Sequence, residues 1–312
     1  MSGRIMYSKT EPTNFISTFN DIKERLEYKK LKNVNSVHNG QLKLLLSEFR
    51  FFNDIDFKEY CSHNNEINII YIGSGKGYHI PILINGLSIL HKNIIWHLYD
   101  SFGHCVGINN YNKIYSNSKV IINNKNFTKR DCKKFKLFKN VIFISDIRSI
   151  DKNKKIPTTK NLIHDYTLQN YILNYVRPDF SFLKCRYPFC DDWKQRYDLD
   201  MPVGVEYIQS YTKSYSCELR LFLGKNYIFK SFNGLKDIDK LLEYEEKLFW
   251  YNKEYRHKYN NDYNISIYVI KNIDDKIKLN LKLCKDNKIF KDDKILEKFK
   301  ELISNEITAD NA

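Results

Sequence analysis

No CxxC pair occurs anywhere in this chain. The seven cysteines, Cys61, Cys105, Cys132, Cys185, Cys190, Cys217 and Cys284, are odd in number and scattered, which excludes a zinc ribbon and predicts a reducing compartment. Cys185 and Cys190 flank four residues, a spacing too loose for a metal knuckle, so no metal is expected. No uninterrupted apolar run reaches membrane-spanning length, and Met1-Ser2-Gly3-Arg4-Ile5 lacks the apolar core of a signal peptide, so a soluble, intracellular protein without a membrane partner is expected. The GxxxxGK[ST] frame of a P-loop is absent, as is GxGxxG, which argues against a nicotinamide-dependent dehydrogenase. No internal repeat is visible.

What is present is an ordinary apolar content, 42%, with an unusual aromatic share, 15%, made mostly of 23 Tyr and 20 Phe. A chain of 312 residues with this content is expected to bury one large core. Lys and Arg total 51 against 37 Asp and Glu, a formal charge of +14, which favours a polyanionic partner, although a lysine-rich background reads the same way.

Residues 1–38 read as a polar arm with a short helix near Phe19 to Tyr28. Leu42, Leu45, Leu46 and Phe49 recur at i, i+3, i+4 and i+7, which predicts an amphipathic helix over Asn39 to Phe52 with Lys43 beside its buried stripe. Strands and helices then alternate: strand Ile67 to Ile72, helix Tyr78 to His91, strand Asn93 to Tyr99, strand Lys119 to Ile122, basic helix Thr128 to Phe138, strand Val141 to Ser145, helix Thr158 to Val176, strand Phe180 to Lys184. This alternation predicts an α/β fold with a mostly parallel twisted sheet. Glu218 to Leu223 and Asn226 to Phe232 read as an antiparallel hairpin turning at Gly224, and Ile238 to Tyr255 as a long helix. The organisation expected is an arm (1–38), a main domain (39–270) and a lysine-rich extension (271–312) with a short helix at Lys294 to Ile303, all in one globular unit.

Three predicted strands end in chemistry. Ile67 to Ile72 runs into Gly73-Ser74-Gly75-Lys76-Gly77, which suits either the first loop of an adenosylmethionine-dependent enzyme or a tight structural turn. Asp100 closes the second strand, where an acid can bind ribose hydroxyls or cap a helix. Asp146 ends a third. Lys184 and Glu218 follow at the end of one later strand and the start of another. Spacing alone makes both of these surface residues. The basic run Lys125, Lys129, Arg130, Lys133, Lys134, Lys136 and Lys139 reads as the solvated face of a helix whose Cys132, Phe135 and Phe138 point inward.

The segments Gly40-Gln41-Leu42-Lys43-Leu44-Leu45-Leu46, Tyr71-Ile72-Gly73-Ser74 with His79-Ile80, Ile144-Ser145-Asp146-Ile147-Arg148-Ser149, Tyr166-Thr167-Leu168-Gln169-Asn170, Leu183-Lys184-Cys185-Arg186-Tyr187-Pro188-Phe189 and Ser214-Tyr215-Ser216-Cys217-Glu218-Leu219-Arg220 occur in one order. In that order the chain resembles the poxvirus cap-specific mRNA (nucleoside-2′-O-)-methyltransferase family, which also serves as the small regulatory subunit of the viral poly(A) polymerase. The resemblance runs from about Gln41 to Tyr251. It implies a Rossmann-like methyltransferase fold, S-adenosylmethionine as methyl donor, capped mRNA as substrate, a poly(A) polymerase catalytic subunit as partner, and the host cytoplasm or virion as location.

By the same resemblance a Lys-Asp-Lys-Glu tetrad falls on Lys43, Asp146, Lys184 and Glu218. Lys184 would contact the ribose 2′-OH of the first transcribed nucleotide. A lysine is a base only as the free amine. Lys43 and burial would favour that form while Asp146 and Glu218 favour the ammonium, so base and positioner both stay open. Gln41, Tyr71, Gly73, Gly77, Asp100, Asp146 and Arg148 would line the donor site. Phe102 stands where the family has an arginine, and Gly75-Lys76 where a small residue and proline are usual. The methylated guanine of the cap would stack on aromatic faces and meet carboxylates at its edge, which implicates Tyr28, Phe189, Asp191 and Glu245, with Arg186, Ser214 and Ser216 on the RNA backbone. The rival reading is a non-catalytic RNA-binding processivity subunit of a poly(A) polymerase, and the complete tetrad speaks against it.

Overall fold

The computed structural model describes residues 15–29, 39–114, 118–151, 157–188, 198–213, 216–233, 236–284 and 293–309. Its strands are β1 (Ile67–Ile72), β2 (Ile94–Tyr99), β3 (Lys119–Asn123), β4 (Val141–Ser145), β5 (Phe180–Cys185), β6 (Asp198–Pro202), β7 (Val205–Tyr207), β8 (Leu219–Leu223) and β9 (Phe229–Asn233). The helices are α1 (Gly40–Asp54), α2 (Phe57–Ser62), α3 (Ile80–Leu87), α4 (Val106–Asn109), α5 (Tyr111–Ile114), α6 (Cys132–Phe135), α7 (Thr159–Val176), α8 (Ile238–Trp250), α9 (Asn261–Lys271), α10 (Asp275–Leu283) and α11 (Asp293–Ala309).

Every residue of β1 is buried, as a central strand covered on both faces requires, and it runs parallel to β2 on one side and β4 on the other. The seven strands of the main sheet lie in the order β3-β2-β1-β4-β5-β8-β7, with β8 antiparallel to β5 and β7 antiparallel to β8. The chain leaves β1 toward β2 and β3, then returns on the other side to β4. That reversal opens a crevice beyond the carboxyl ends of β1 and β4, where open α/β sheets bind ligands.

Alternation along β2 shows how both faces are covered. Trp96 meets Phe52 of α1 with ring centroids 6.3 Å apart, while His97 points the other way onto Phe135 of α6 at 4.9 Å. On the α1 face Phe51 stacks on Phe182 of β5 at 4.9 Å. Both rings are essentially inaccessible, so truncating Phe51 to alanine is worth about 3–5 kcal/mol of stability. α7 begins with a capping box: Thr158 Oγ1 accepts from Asn161 N at 3.3 Å, and Asn161 Oδ1 accepts from Thr158 N at 2.9 Å. The lysine-rich segment beyond Lys271 carries buried Ile277, Leu281 and Phe299, and Phe299 stacks on Phe49 of α1 at 5.2 Å. No described helix is long and apolar enough to cross a membrane.

Antiparallel pairing is found where a hairpin is expected, with different partners. β8 and β9 do not pair with each other: β8, buried along its whole length, lies between β5 and β7 and is antiparallel to both, while β9 pairs with β6 in a separate two-stranded sheet. The helix expected over Phe19 to Tyr28 is a single 3₁₀ turn, Phe19–Asp21. The basic helix expected over Thr128 to Phe138 shrinks to α6, entered through a turn in which Asp131 accepts from Thr128 N at 2.9 Å and from its hydroxyl at 2.7 Å. Its inward residues are as expected: Cys132 and Phe135 are fully buried and Phe138 packs against the core.

Candidate active site

Backbone hydrogen bonds bind the ends of three neighbouring strands together. Gly73 N donates to Tyr99 O at 2.9 Å and Asp146 N to Ile72 O at 2.9 Å, so the glycine turn, Asp100 and Asp146 share one edge. Gly73, Gly75 and Gly77 have φ of +71°, +53° and +58°. A Cβ on Gly73 would sit 2.7 Å from Ile147 N and 2.8 Å from the Asp146 carbonyl carbon, whereas one on Gly75 would meet only Asp100 Oδ2 at 3.9 Å. The turn is therefore packed at Gly73 against the segment that follows β4 and at Gly77 against Ile80 and Ile108, and open at Gly75 between them, which is the shape of a ligand cradle.

Asp100 is no helix cap, since the next helix starts at Val106. Its Oδ2 accepts from Gly75 N and its Oδ1 from Phe102 N, each at 2.8 Å. A carboxylate offers about four acceptor sites, so two remain for a ligand's hydroxyls. Gln41 and Tyr71 flank the same turn. Gln41 Oε1 accepts from the backbone N–H of His79 at 3.2 Å and faces its Nδ1 at 2.8 Å, and the Tyr71 hydroxyl donates to Glu48 at 2.6 Å. Phe102 is 84% exposed beside the crevice.

The four ionisable residues of the expected tetrad meet. Lys43, in the first turns of α1, holds Glu218 Oε1 at 2.9 Å, and Lys184 near the end of β5 lies 3.1 Å from Asp146 Oδ1 and 3.5 Å from Glu218 Oε2. Arg148 reaches Glu218 Oε2 at 3.5 Å. Sequence reasoning missed two members. Arg220, 1% exposed, pairs with Asp146 through NH2, donates from NH1 to Ser145 O at 3.2 Å and from Nε to Gln209 Oε1 at 3.0 Å. Gln209 in turn donates to Glu218 O at 3.1 Å. The available signal was alternation: Arg220 lies two residues beyond Glu218, on the same side of an extended chain.

Four cations against two carboxylates leave the cluster positive. Burial pushes the Asp146 and Glu218 carboxyls up, but Lys184, Arg220 and Lys43 overcome this and hold both below the usual carboxylate range. Burial pushes the Lys43 amine down, as do Arg220 and Lys184, against the pull of Glu218 and Asp146.

A second group lies nearby. Leu26 N donates to Glu246 O at 3.2 Å, pinning the segment that carries Tyr28 to α8, where Tyr28 meets Phe249 edge-on at 5.4 Å. Burial raises the Tyr28 phenol, with Cys217 and Glu245 raising it further and Arg186 opposing, so Tyr28, Glu245 and Arg186 share one field. Tyr166 clamps Arg186, donating to its carbonyl and accepting from its N–H, both at 2.7 Å. Ser216 Oγ accepts from Glu218 N at 3.2 Å, tying this group to the tetrad. Phe189, Asp191 and Ser214 lie outside the described residues.

A parallel sheet that reverses beside a glycine turn, with acids after the adjacent strands, defines a Rossmann-like methyltransferase fold. The chain belongs to the poly A polymerase regulatory subunit family, whose model matches residues 10–302. It is 32% identical over 287 residues to the cap-specific mRNA (nucleoside-2′-O-)-methyltransferase of Fowlpox virus (strain NVSL), covering 86% of this chain and 88% of that protein. It is 33% identical over 248 residues to the protein of the same name from Myxoma virus (strain Lausanne), covering 77% of this chain and 69% of that one.

Proposed function

We propose that this protein methylates the ribose 2′-OH of the first transcribed nucleotide of capped mRNA, with S-adenosylmethionine as donor. One observation carries the reading: Lys43, Glu218, Lys184 and Asp146 form an unbroken chain of contacts beside the glycine turn. The donor, when bound, supplies an electrophilic methyl on a neutral leaving group, so the protein's contribution is mainly alignment. The open side of the turn, the spare acceptors of Asp100 and the cation of Arg148 suit the adenosine, ribose and carboxylate parts of such a molecule. Lys184, held between Asp146 and Glu218, is fixed in direction and orients the 2′-oxygen, whose proton leaves to the Lys184 amine or to solvent as the oxygen takes the methyl. Asp146 and Glu218 hold it there, and Arg220 holds Asp146. Tyr28 and Glu245 supply an aromatic face and a carboxylate for a cationic base, and Arg186 a contact for its phosphates. The family's description makes a poly(A) polymerase catalytic subunit the partner to test by co-purification.

The test is transfer of labelled methyl from S-adenosylmethionine to capped and uncapped RNA of one sequence, followed by nuclease digestion. Label is expected in the 2′-O-methylated first nucleotide of the capped RNA. Label on a base, or equal labelling of uncapped RNA, overturns the reading.

A further inference from the structure

Beneath the glycine turn lies a polar network that the tetrad does not use. Glu48 and His79 have side chains only 2% and 1% exposed. Glu48 Oε1 accepts from the Tyr71 hydroxyl at 2.6 Å and lies 3.3 Å from His79 Nε2, Glu48 Oε2 lies 3.1 Å from the same nitrogen without hydrogen-bond geometry, and His79 Nδ1 lies 2.8 Å from Gln41 Oε1. Tyr71 stands two residues before Gly73 and His79 two residues after Gly77, so the network grips both ends of the turn. Gln41 and Glu48, seven apart on α1, project from one face of that helix and reach the two ends from the same side.

Hydrogen-bond accounting fixes the protons. The His79 backbone N–H donates to Gln41 Oε1 at 3.2 Å, so that oxygen cannot be the amide nitrogen, and the Nδ1 facing it must also be a donor. Nε2 then faces a carboxylate, and a bare lone pair there would repel it. One proton therefore lies on the Glu48–His79 contact, and the buried pair is neutral as a unit, which is what a site this dry tolerates. The turn it grips holds three glycines at positive φ, the residues with most freedom to lose on ordering.

We infer that Glu48 and His79 are positioning residues that hold the glycine turn, Tyr71 and Gln41 in the geometry that accepts the methyl donor. They touch neither donor nor RNA. This inference rests on the donor reading above.

The experiment measures S-adenosylmethionine binding by calorimetry, capped-RNA binding by anisotropy, and kcat and KM for each substrate. For Glu48→Ala, donor Kd and KM are expected to rise by about tenfold, while capped-RNA Kd stays within about twofold and kcat at saturating donor within about threefold. Glu48→Gln can still accept from Tyr71 and can donate to Nε2 of a neutral His79, and should restore donor affinity to within about threefold of wild type. Should Glu48→Ala fail to fold, Tyr71→Phe deletes only one hydroxyl and should weaken donor binding by roughly threefold. Native donor affinity in Glu48→Ala or Tyr71→Phe overturns the inference, as does equal loss of donor and RNA binding, or a Glu48→Gln variant as impaired as the alanine. A wild-type chain that binds RNA but no donor overturns the donor reading itself, and the inference with it.

Discussion

Two clusters of ionisable groups adjoin the glycine turn, and they are built differently. The tetrad cluster faces the crevice, with Lys43, Lys184, Asp146 and Glu218 side chains 11%, 13%, 18% and 19% exposed. The Glu48–His79 bracket has no such access. Groups that must meet a substrate keep one side open, and their charge is unbalanced. Groups that only hold a backbone in place are dry and neutral in sum, and hydrogen bonds tie them to both ends of the turn. Arg220 belongs to both kinds: it is as buried as the bracket, yet its partner Asp146 faces the crevice.

The sharpest way to break this contrast is to damage the open cluster. Glu218→Ala removes the carboxylate that Lys43, Lys184 and Arg148 share, and should lower single-turnover methyl transfer by about 10²–10³-fold with donor binding little changed. A loss confined to donor affinity would make the two clusters alike. Arg220→Met tests the intermediate case. It leaves Asp146 beside Lys184 alone and Gln209 without its donor, and should cost about 3–5 kcal/mol in denaturant unfolding, with activity falling as well. A stable, active Arg220→Met would place Arg220 outside the cluster's working part.

His97 offers a buried polar group remote from both clusters. Its Nε2 bonds Asn68 Oδ1 at 3.1 Å, its Nδ1 has no hydrogen-bond partner among the described residues, and burial, with Lys134 and Lys119, pushes its pKa down from 6.5 to about 4. The unfolded chain takes up this proton at higher pH than the folded one, so the contribution to stability is complete above pH 6.5 and is lost as pH falls toward 4. The loss should approach roughly 3 kcal/mol in urea titrations across that window, and His97→Leu should flatten it. An unchanged slope in that variant would assign the pH dependence elsewhere. The smallest effect is expected on the basic run: Lys133→Glu should change KM for capped RNA by less than about twofold near physiological salt, because screened surface charge contributes little.

How much of this was legible in sequence depended on whether the signal was local. β1 and β4 are legible to the residue because each is a continuous apolar run, and Lys43 is placed by the stripe of Leu42, Leu45, Leu46 and Phe49 beside it. Glu218 and Lys184 look like surface residues in isolation. Only motifs in a fixed order raise them above that, since their partners lie on other strands. Arg220, Gln209, Glu48 and His79 do not read as site residues, because a buried charge is betrayed by its distant partner and not by its neighbours in the chain. The expected hairpin fails for the same reason: β8 looks locally paired to the next strand in the chain, but its partners, β5 and β7, both precede it in sequence.

The central claim, that the four convergent residues drive methyl transfer, is tested most directly by one comparison. Wild type and Lys184→Ala are saturated with labelled S-adenosylmethionine and mixed with capped RNA in a single turnover, with donor binding measured separately by calorimetry. Donor affinity within about threefold and a transfer rate down by at least about a hundredfold are predicted. An unchanged rate in Lys184→Ala would contradict the account.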